Sequence, residues 1–135
     1  MTQIWERIYL GSKEDANALV VSNPNGITTV ISVCMEPVRR KAVGINYLRF
    51  PLNPLRAVTR AKFDEIIDAI AENVRWGTVL MHCTVGISRS PAMLGAWMDV
   101  CGYKSLDNAI KEIASKRPEI APESVLVDSI RQHLR

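Results

Sequence analysis

The stretch of sequence that decides the fold is HCTVGISRSP, residues 82–91. A short apolar run at residues 78–82 leads into it and predicts a strand, and an almost wholly apolar run at residues 91–102 follows it and predicts a buried helix. A loop between a strand and a helix turns successive backbone N–H groups toward one point, where the helix N-terminus adds partial positive charge. The sequence therefore predicts an anion-binding loop at the carboxyl end of a strand.

Three residues of this loop carry chemistry that fits a phosphate dianion. Cys83 stands six residues before Arg89, with Gly86 between them. A guanidinium fork can hold two phosphate oxygens, and glycine allows a positive φ or a close backbone approach. A helix N-terminus and a neighbouring cation can lower a thiol pKa from about 8.5 to about 3.5–7.5. The loop that binds phosphate is therefore predicted to ionise its own nucleophile, Cys83.

The other loop residues are predicted to support this pair. Ser90 could donate a hydrogen bond to the Cys83 sulfur, or it could serve only as a helix N-cap. His82 is expected to order the loop through hydrogen bonds, because an ionised thiolate needs no general base. The predicted phosphate-binding positions are Cys83, Thr84, Val85, Gly86, Ile87, Ser88 and Arg89.

Length and composition indicate one globular domain spanning residues 1–135, with 47% apolar and 23% charged residues. No apolar stretch is long enough to predict a membrane span, and the N-terminus lacks the layout of a signal peptide. Three cysteines are an odd number, which favours reduced thiols and a cytoplasmic location. The net charge of +3 is mild and spread along the chain, so no nucleic-acid partner is predicted.

Apolar runs alternate with amphipathic stretches, which predicts an α/β fold with a central, mostly parallel sheet and helices on both faces. Strands are predicted around residues 5–10, 28–33, 45–50 and 78–82. Ser12 and Asp15 form a capping-box pattern at the start of the first helix. Further helices are predicted at 60–75, at 91–102, from Ser105, and at 122–134. In such sheets ligands bind at the carboxyl ends of the strands, where the cysteine loop falls.

The loop HCTVGISRSP resembles the His-Cys-x5-Arg-Ser loop of the dual-specificity protein phosphatases, within the cysteine-dependent protein tyrosine phosphatase superfamily. Residues 5–16 (WERIYLGSKEDA) are similar to that family's opening strand and helix, residues 26–33 (GITTVISV) to its second strand segment, and residues 116–120 (KRPEI) with Pro122 to its closing helix pair. The resemblance covers nearly the whole chain. It implies a protein tyrosine phosphatase-like fold and a phosphoprotein phosphatase that uses neither a metal nor another cofactor.

Site roles follow from the resemblance at matching positions. It implies Cys83 as the nucleophile, Arg89 as the binder of the phosphoryl group, and Ser90 as a helper in hydrolysing a phosphocysteine intermediate. At the family's general-acid aspartate, ten residues before Phe63, this chain has Asn53. An amide cannot protonate a leaving oxygen, and general acid catalysis contributes about 10²–10⁴-fold. We therefore expect a preference for phosphotyrosine over phosphoserine and phosphothreonine.

Several alternatives to the missing aspartate remain open. Glu36, Asp64 or Asp68 could supply the proton, water could assist, or the chain could be a phosphopeptide-binding or substrate-trapping module with weak turnover. The resemblance also implies a disulfide between Cys34 and Cys83 on oxidation, whereas Cys101 is expected to pack in the core. The variable loop positions contain no lysine, which favours a phosphoprotein substrate over an inositol polyphosphate. The oligomeric state is left open.

Overall fold

The computed structural model describes residues 1–134, which form a five-stranded sheet and five helices. The strands are β1 (Thr2–Trp5), β2 (Ile8–Gly11), β3 (Thr29–Ser32), β4 (Asn46–Arg49) and β5 (Val79–His82). The helices are α1 (Lys13–Ala18), α2 (Arg60–Val74), α3 (Arg89–Val100), α4 (Leu106–Lys116) and α5 (Ser124–His133). Strands and helices alternate through most of the chain, as the apolar pattern predicts.

The sheet has the strand order β1-β2-β5-β3-β4. All neighbouring pairs are parallel except β1 with β2, so the mostly parallel sheet is confirmed. The register aligns the last residues of four strands at one edge; these are Gly11, His82, Ser32 and Arg49. The loops that leave the carboxyl ends of the parallel strands therefore begin side by side, with the cysteine loop in the middle.

The strand predicted at residues 5–10 is wrong as a single element. The chain turns at Glu6 and Arg7, and Trp5 pairs with Ile8 in an antiparallel hairpin. The Arg7 side chain bonds the carbonyls of residues 74 and 75 at the end of α2. Apolar residues continue on both sides of this two-residue turn, so the sequence pattern alone hides the reversal.

Alternate side chains of the central strands point to opposite faces of the sheet. Val30 and Leu80 pack with Ala16 and Leu19, so α1 covers one face. Ile31 and Met81, together with most other apolar residues of the core, belong to the second cluster under α2 to α5. Helices thus flank both faces, as predicted, but unequally. The inner strands β3 and β5 are buried throughout, whereas β4 is a partly exposed edge strand.

Helix starts follow the polar signals in the sequence. The capping box is confirmed: the Asp15 amide donates to the Ser12 hydroxyl and the Asp15 carboxylate accepts from the Ser12 amide. Thr59 and Ser105 cap α2 and α4 in the same way with their hydroxyls. Within residues 1–134 no helix is both long and apolar enough to cross a bilayer.

Candidate active site

The cysteine loop occupies residues 83–88, between the end of β5 and the start of α3. We call these residues the phosphate loop. Arg89 and Ser90 are the first two residues of α3, and both are buried. The loop therefore lies at the predicted place, where a strand's carboxyl end meets a helix N-terminus.

Every backbone carbonyl from Cys83 to Ile87 accepts a hydrogen bond from a group outside the phosphate loop. In chain order the donors are His82 Nδ1 (3.1 Å), Lys13 N (3.1 Å), Arg117 Nη2 (3.3 Å), Arg117 Nε (3.0 Å) and Ala121 N (2.8 Å). Because these hydrogen bonds direct the carbonyls away from the loop, the amide N–H groups of the loop face its interior. This is the arrangement of a backbone anion site.

Arg117 is the functional residue that sequence analysis missed. Its buried guanidinium holds two carbonyls of the phosphate loop and also donates to the Thr2 hydroxyl at 2.8 Å. The carboxylate of Glu119 lies 3.8 Å from its Nε. Arg117 follows the last residue of α4 and is far from the loop in sequence, so no local pattern connects the two.

Gly86 meets both requirements predicted for it. Its φ is +74°, in the left-handed region that favours glycine. A Cβ at this position would lie 2.6 Å from the Gly11 carbonyl oxygen and 2.7 Å from Arg117 Nη2. Any side chain would therefore push against both β2 and the arginine that holds the loop.

The Cys83 sulfur is buried at the centre of the phosphate loop and lies 3.3 Å from the Ser90 hydroxyl. Burial alone would raise the pKa of Cys83. Hydrogen bonds from the Ser90 hydroxyl and from the backbone N–H groups of Ser90, Ser88 and Gly86 outweigh burial and lower that pKa below its ordinary value. The loop thus favours a thiolate through its own donors.

The two interpretations of Ser90 are separated by its position in α3. The N-cap of this helix is Ser88, whose side chain makes no capping bond and instead accepts from the Glu123 amide at 3.0 Å. Ser90 lies inside the first turn with its hydroxyl against the Cys83 sulfur. The N-cap interpretation of Ser90 is therefore wrong, and its hydroxyl is in a position to donate to the thiolate.

Both ring nitrogens of His82 are occupied by structural contacts. Nδ1 lies 3.1 Å from the Cys83 carbonyl, which can only accept, so Nδ1 carries the proton. Nε2 lies 2.6 Å from the Ser32 hydroxyl on the neighbouring strand, and in this tautomer it accepts. Burial lowers the pKa of His82, which keeps the ring neutral. These contacts fit a histidine that orders the loop.

Arg89 is held by two separate segments. Its Nη1 donates to the Leu52 carbonyl at 3.0 Å, and its Nη2 donates to the Thr84 hydroxyl at 3.0 Å. A guanidinium has five N–H groups, so these two contacts leave three for a ligand. The residue is only 8% exposed, so the guanidinium lies buried beside the loop.

Asn53 directly follows the residue whose carbonyl Arg89 binds. Its side chain is exposed, and its Oδ1 accepts from the Leu55 amide at 2.9 Å in a local turn. The backbone carbonyl of Asn53 accepts from the Arg56 amide at 3.4 Å. Asn53 therefore stabilises its own turn, and its amide has no acidic proton to donate.

Of the three substitute carboxyls, only Glu36 is brought to the phosphate loop. Its Oε1 accepts from the Thr84 hydroxyl at 2.5 Å. The Thr84 hydrogen bond is the main cause that lowers the pKa of Glu36, so its carboxyl is ionised at neutral pH and carries no proton. Asp64 pairs with Arg60 at 3.3 Å. Asp64 and Asp68 line a cavity of about 520 Å³ to which no residue of the phosphate loop contributes.

The other two cysteines differ in burial. Cys34 is buried beyond the end of β3, and its thiol donates to the Glu36 carbonyl at 3.2 Å. Burial raises the pKa of Cys34. Cys101 is exposed at the C-cap of α3, so the expectation that it packs in the core is wrong. The helix ends before it, and the next residues turn at Gly102 into solvent.

Comparisons with known proteins show the family to which the chain is similar. The family model described as "Dual specificity phosphatase, catalytic domain" matches residues 8–135. Dual specificity protein phosphatase 18 of Rattus norvegicus is 30% identical over 129 residues, which cover 92% of this chain and 62% of that protein. Dual specificity protein phosphatase 21 of Homo sapiens is 30% identical over 125 residues, which cover 91% of this chain and 66% of that protein. The chain thus spans less than two thirds of either relative.

The fold is also similar to that of a solved structure. A crystal structure of human DUSP28 carrying one substitution superposes with a TM-score of 0.88 at 25% identity. The match covers 98% of this chain and 92% of that chain. The whole sheet and its helices, and not only the phosphate loop, are therefore shared with that structure.

Proposed function

The chain belongs to the dual specificity phosphatase family, and we propose that residues 1–135 form a catalytic domain that hydrolyses phosphoproteins through a phosphocysteine on Cys83. In the first step the Cys83 thiolate attacks phosphorus, an S–P bond forms, and the P–O bond to the protein breaks. In the second step water attacks phosphorus, the S–P bond breaks, and inorganic phosphate leaves. The thiolate is then regenerated.

The observation that carries this proposal is the environment of the Cys83 sulfur. Backbone N–H groups and the Ser90 hydroxyl lower its pKa inside a loop whose carbonyls are all directed outward. The same inward N–H groups would hold the non-bridging phosphoryl oxygens, and the free N–H groups of Arg89 would hold two of them. Ser90 would donate its hydrogen bond to the sulfur as it departs in the second step.

The residue at position 53 sets the expected substrate preference. With Asn53 there, the leaving oxygen takes its proton from water. A phenol with a pKa near 10 is expelled unprotonated far more easily than an aliphatic alcohol. We therefore propose phosphotyrosine as the preferred substrate, with slower turnover of phosphoserine and phosphothreonine. The odd number of cysteines in the chain supports a cytoplasmic site of action.

A second candidate function is a phosphopeptide-binding or substrate-trapping module. Asn53 favours it, because an intact phosphate loop without a general acid would capture substrates that it releases slowly. The two candidates share the pocket and differ in the number of phosphates released per chain. A phosphotyrosine peptide in excess over the protein separates them.

The test measures phosphate release from that peptide by the wild type, Cys83→Ser and Arg89→Lys. We expect many turnovers by the wild type, with a phosphorylated Cys83 peptide after acid quenching. Cys83→Ser should release none while retaining part of the affinity for vanadate. Arg89→Lys should lose about 10²-fold in kcat/KM, because a point charge does not reproduce the fork.

Two results would decide against the phosphatase. Release of one phosphate or fewer per wild-type chain would favour the trapping module. Turnover by Cys83→Ser equal to the wild type would remove the phosphocysteine mechanism altogether.

A further inference from the structure

Glu36 contacts the phosphate loop without belonging to it. We propose that Glu36 is a positioning residue that acts through the Thr84 hydroxyl to fix the Arg89 guanidinium for phosphoryl binding. This inference rests on the proposed function of Arg89. It adds a residue, outside the loop and on another segment of the chain, to the machinery of the same site.

The contacts form a chain of two hydrogen bonds. Thr84 Oγ1 donates its single proton to Glu36 Oε1 at 2.5 Å. Its lone pairs are then free to accept from Arg89 Nη2, which lies at 3.0 Å. Because the Glu36 carboxylate can only accept, it sets the direction of the Thr84 hydroxyl. Without that acceptor the hydroxyl could rotate and donate elsewhere, and Arg89 would lose an oriented partner.

The first two members of this hydrogen-bond chain, Glu36 and Thr84, are themselves held at their backbones. The Lys13 amide donates to the Thr84 carbonyl at 3.1 Å, which holds the Thr84 backbone. The Cys34 thiol donates to the Glu36 carbonyl at 3.2 Å, which holds the Glu36 backbone. Cys34 is buried, so this hydrogen bond links the Glu36 backbone to the core. With its backbone held, Glu36 has only side-chain freedom to lose when its carboxylate orients a neighbour.

The result is an arginine held by both terminal nitrogens. The Leu52 carbonyl holds Nη1 and the Thr84 hydroxyl holds Nη2. The remaining N–H groups are oriented before the ligand arrives, and such preorganisation supports binding of the transition state without a reorganisation cost. Glu36 is therefore needed for the direction of the fork, and its role does not require a proton transfer.

Four single variants and one double variant test the relay. Thr84→Val removes the hydroxyl at nearly constant volume, and Thr84→Ser keeps it. Glu36→Ala removes the acceptor, and Glu36→Gln keeps a carbonyl oxygen that can accept from Thr84. The double variant combines Glu36→Ala with Thr84→Val. The measurements are kcat/KM for p-nitrophenyl phosphate and the Kd of vanadate, whose five-coordinate adduct resembles the transition state.

We expect Thr84→Val and Glu36→Ala each to weaken vanadate binding and to lower kcat/KM by about tenfold, the size of one oriented hydrogen bond to a charged group. Thr84→Ser and Glu36→Gln should stay within about threefold of the wild type, since each keeps the hydrogen bond. The double variant should be no worse than Thr84→Val alone, because both changes break the same chain.

The proposal is overturned if the two single effects add in the double variant, or if Thr84→Ser is as poor as Thr84→Val. Tighter vanadate binding by Glu36→Ala would also overturn it, because the carboxylate would then only repel the anion. Vanadate binding does not require turnover, so a wild type that binds vanadate but releases no phosphate would refute the proposed function while still testing the relay. Unchanged thermal unfolding midpoints are the control for folding.

Discussion

The phosphate loop and the segment at residues 52–58, which carries the expected general-acid position, are held in different ways. Each loop carbonyl from Cys83 to Ile87 is bonded to a group outside the loop. The other segment is fixed at its ends: the Leu52 carbonyl binds Arg89, and Val58 bonds Ser129 through its amide and His133 through its carbonyl.

Between those two ends the segment forms a hydrogen-bonded turn of its own. Asn53 caps its own turn with its side chain and remains exposed. The geometry that binds phosphate and ionises the thiol is therefore complete without any contribution from position 53. Under the proposed function, capture and attack depend on this loop, whereas the exposed side chain at position 53 would matter only for protonation of the leaving group.

The largest effect is expected where the phosphate loop is tightest. Gly86→Ala would place a Cβ against the Gly11 carbonyl and Arg117 at a positive φ. We expect a loss of about 2–4 kcal/mol in the free energy of unfolding from strain and overpacking. A loop displaced by about 1 Å should lose about 10²-fold in kcat/KM.

Gly44→Ala is the matched control for this prediction. Gly44 also has a positive φ, at +87°, but a Cβ there would meet no atom within 4 Å. It should cost about 1 kcal/mol in the free energy of unfolding and leave kcat/KM unchanged. Urea unfolding and p-nitrophenyl phosphate kinetics measure both variants. Equal losses in the two glycine variants would contradict the importance of the close approach at Gly86.

A smaller effect is expected at Arg117, which bonds the phosphate loop from outside. Arg117→Met removes the donors to the Val85 and Gly86 carbonyls while keeping an apolar side chain of similar length. Two unpaired carbonyls should cost about 3 kcal/mol in the free energy of unfolding and about tenfold in kcat/KM. Glu119→Gln, which loses only the ion pair to Arg117, is the control and should behave as the wild type in both assays. A fully active Arg117→Met would show that the loop keeps its shape unaided.

A substitution at position 53 should raise kcat/KM, in contrast to the losses expected from changes around the phosphate loop. Asn53→Asp supplies an acidic group, and we expect at least about a tenfold gain in kcat/KM on phosphothreonine peptides. The gain should be smaller for p-nitrophenyl phosphate, whose leaving group hardly needs a proton. Asn53→Ala is the control for loss of the local turn and should show no gain. Equal rates for Asn53→Asp and the wild type on phosphothreonine would mean that another group already delivers the proton.

The smallest effect concerns the ionisation of the nucleophile. The pKa of Cys83 in the folded chain lies below that of an unfolded thiol, so the thiolate stabilises the fold fully above the unfolded pKa, and this contribution disappears as pH falls through the folded pKa. Alkylation of Cys83 by iodoacetamide should follow the thiolate fraction and persist below the ordinary thiol pKa. Ser90→Ala should move this profile to higher pH, because it removes a donor to the sulfur.

A Cys101→Ser background removes the exposed thiol, and peptide analysis separates modification of Cys83 from that of the buried Cys34. Mass spectrometry of the modified peptide gives the rate at each pH. An identical profile in Ser90→Ala would mean that the backbone N–H groups, without the hydroxyl, set the pKa of Cys83.

The sequence predicts those parts of the fold that depend on neighbouring residues. The capping box of Ser12 and Asp15, the amphipathic helix α2 and the buried strand β3 are all local patterns, and each is confirmed. The hairpin of β1 and β2 is missed because apolar residues flank the turn on both sides. The parallel strand pairs join segments that are far apart in the sequence, which a local pattern does not contain.

The site divides in the same way. Cys83, Gly86, Arg89 and Ser90 stand within one short loop, so their spacing reveals them. Arg117 reaches the loop from the end of α4, and Glu36 reaches it from the segment after β3. Glu36 was one of three candidate carboxyls, and only the register of β3 beside β5 explains why it is the one that meets Thr84.

The distant origin of the donors around the phosphate loop also affects how the chain reaches its native state. Lys13, Arg117 and Ala121 come from both ends of the sequence, so the anion site exists only once those ends have assembled around β5. An oxyanion that binds the native chain but not the unfolded one shifts the folding equilibrium by mass action, by about 2.7 kcal/mol at a concentration one hundred times its Kd. Inorganic phosphate, the product of the proposed reaction, would therefore stabilise the folded chain if it binds this loop.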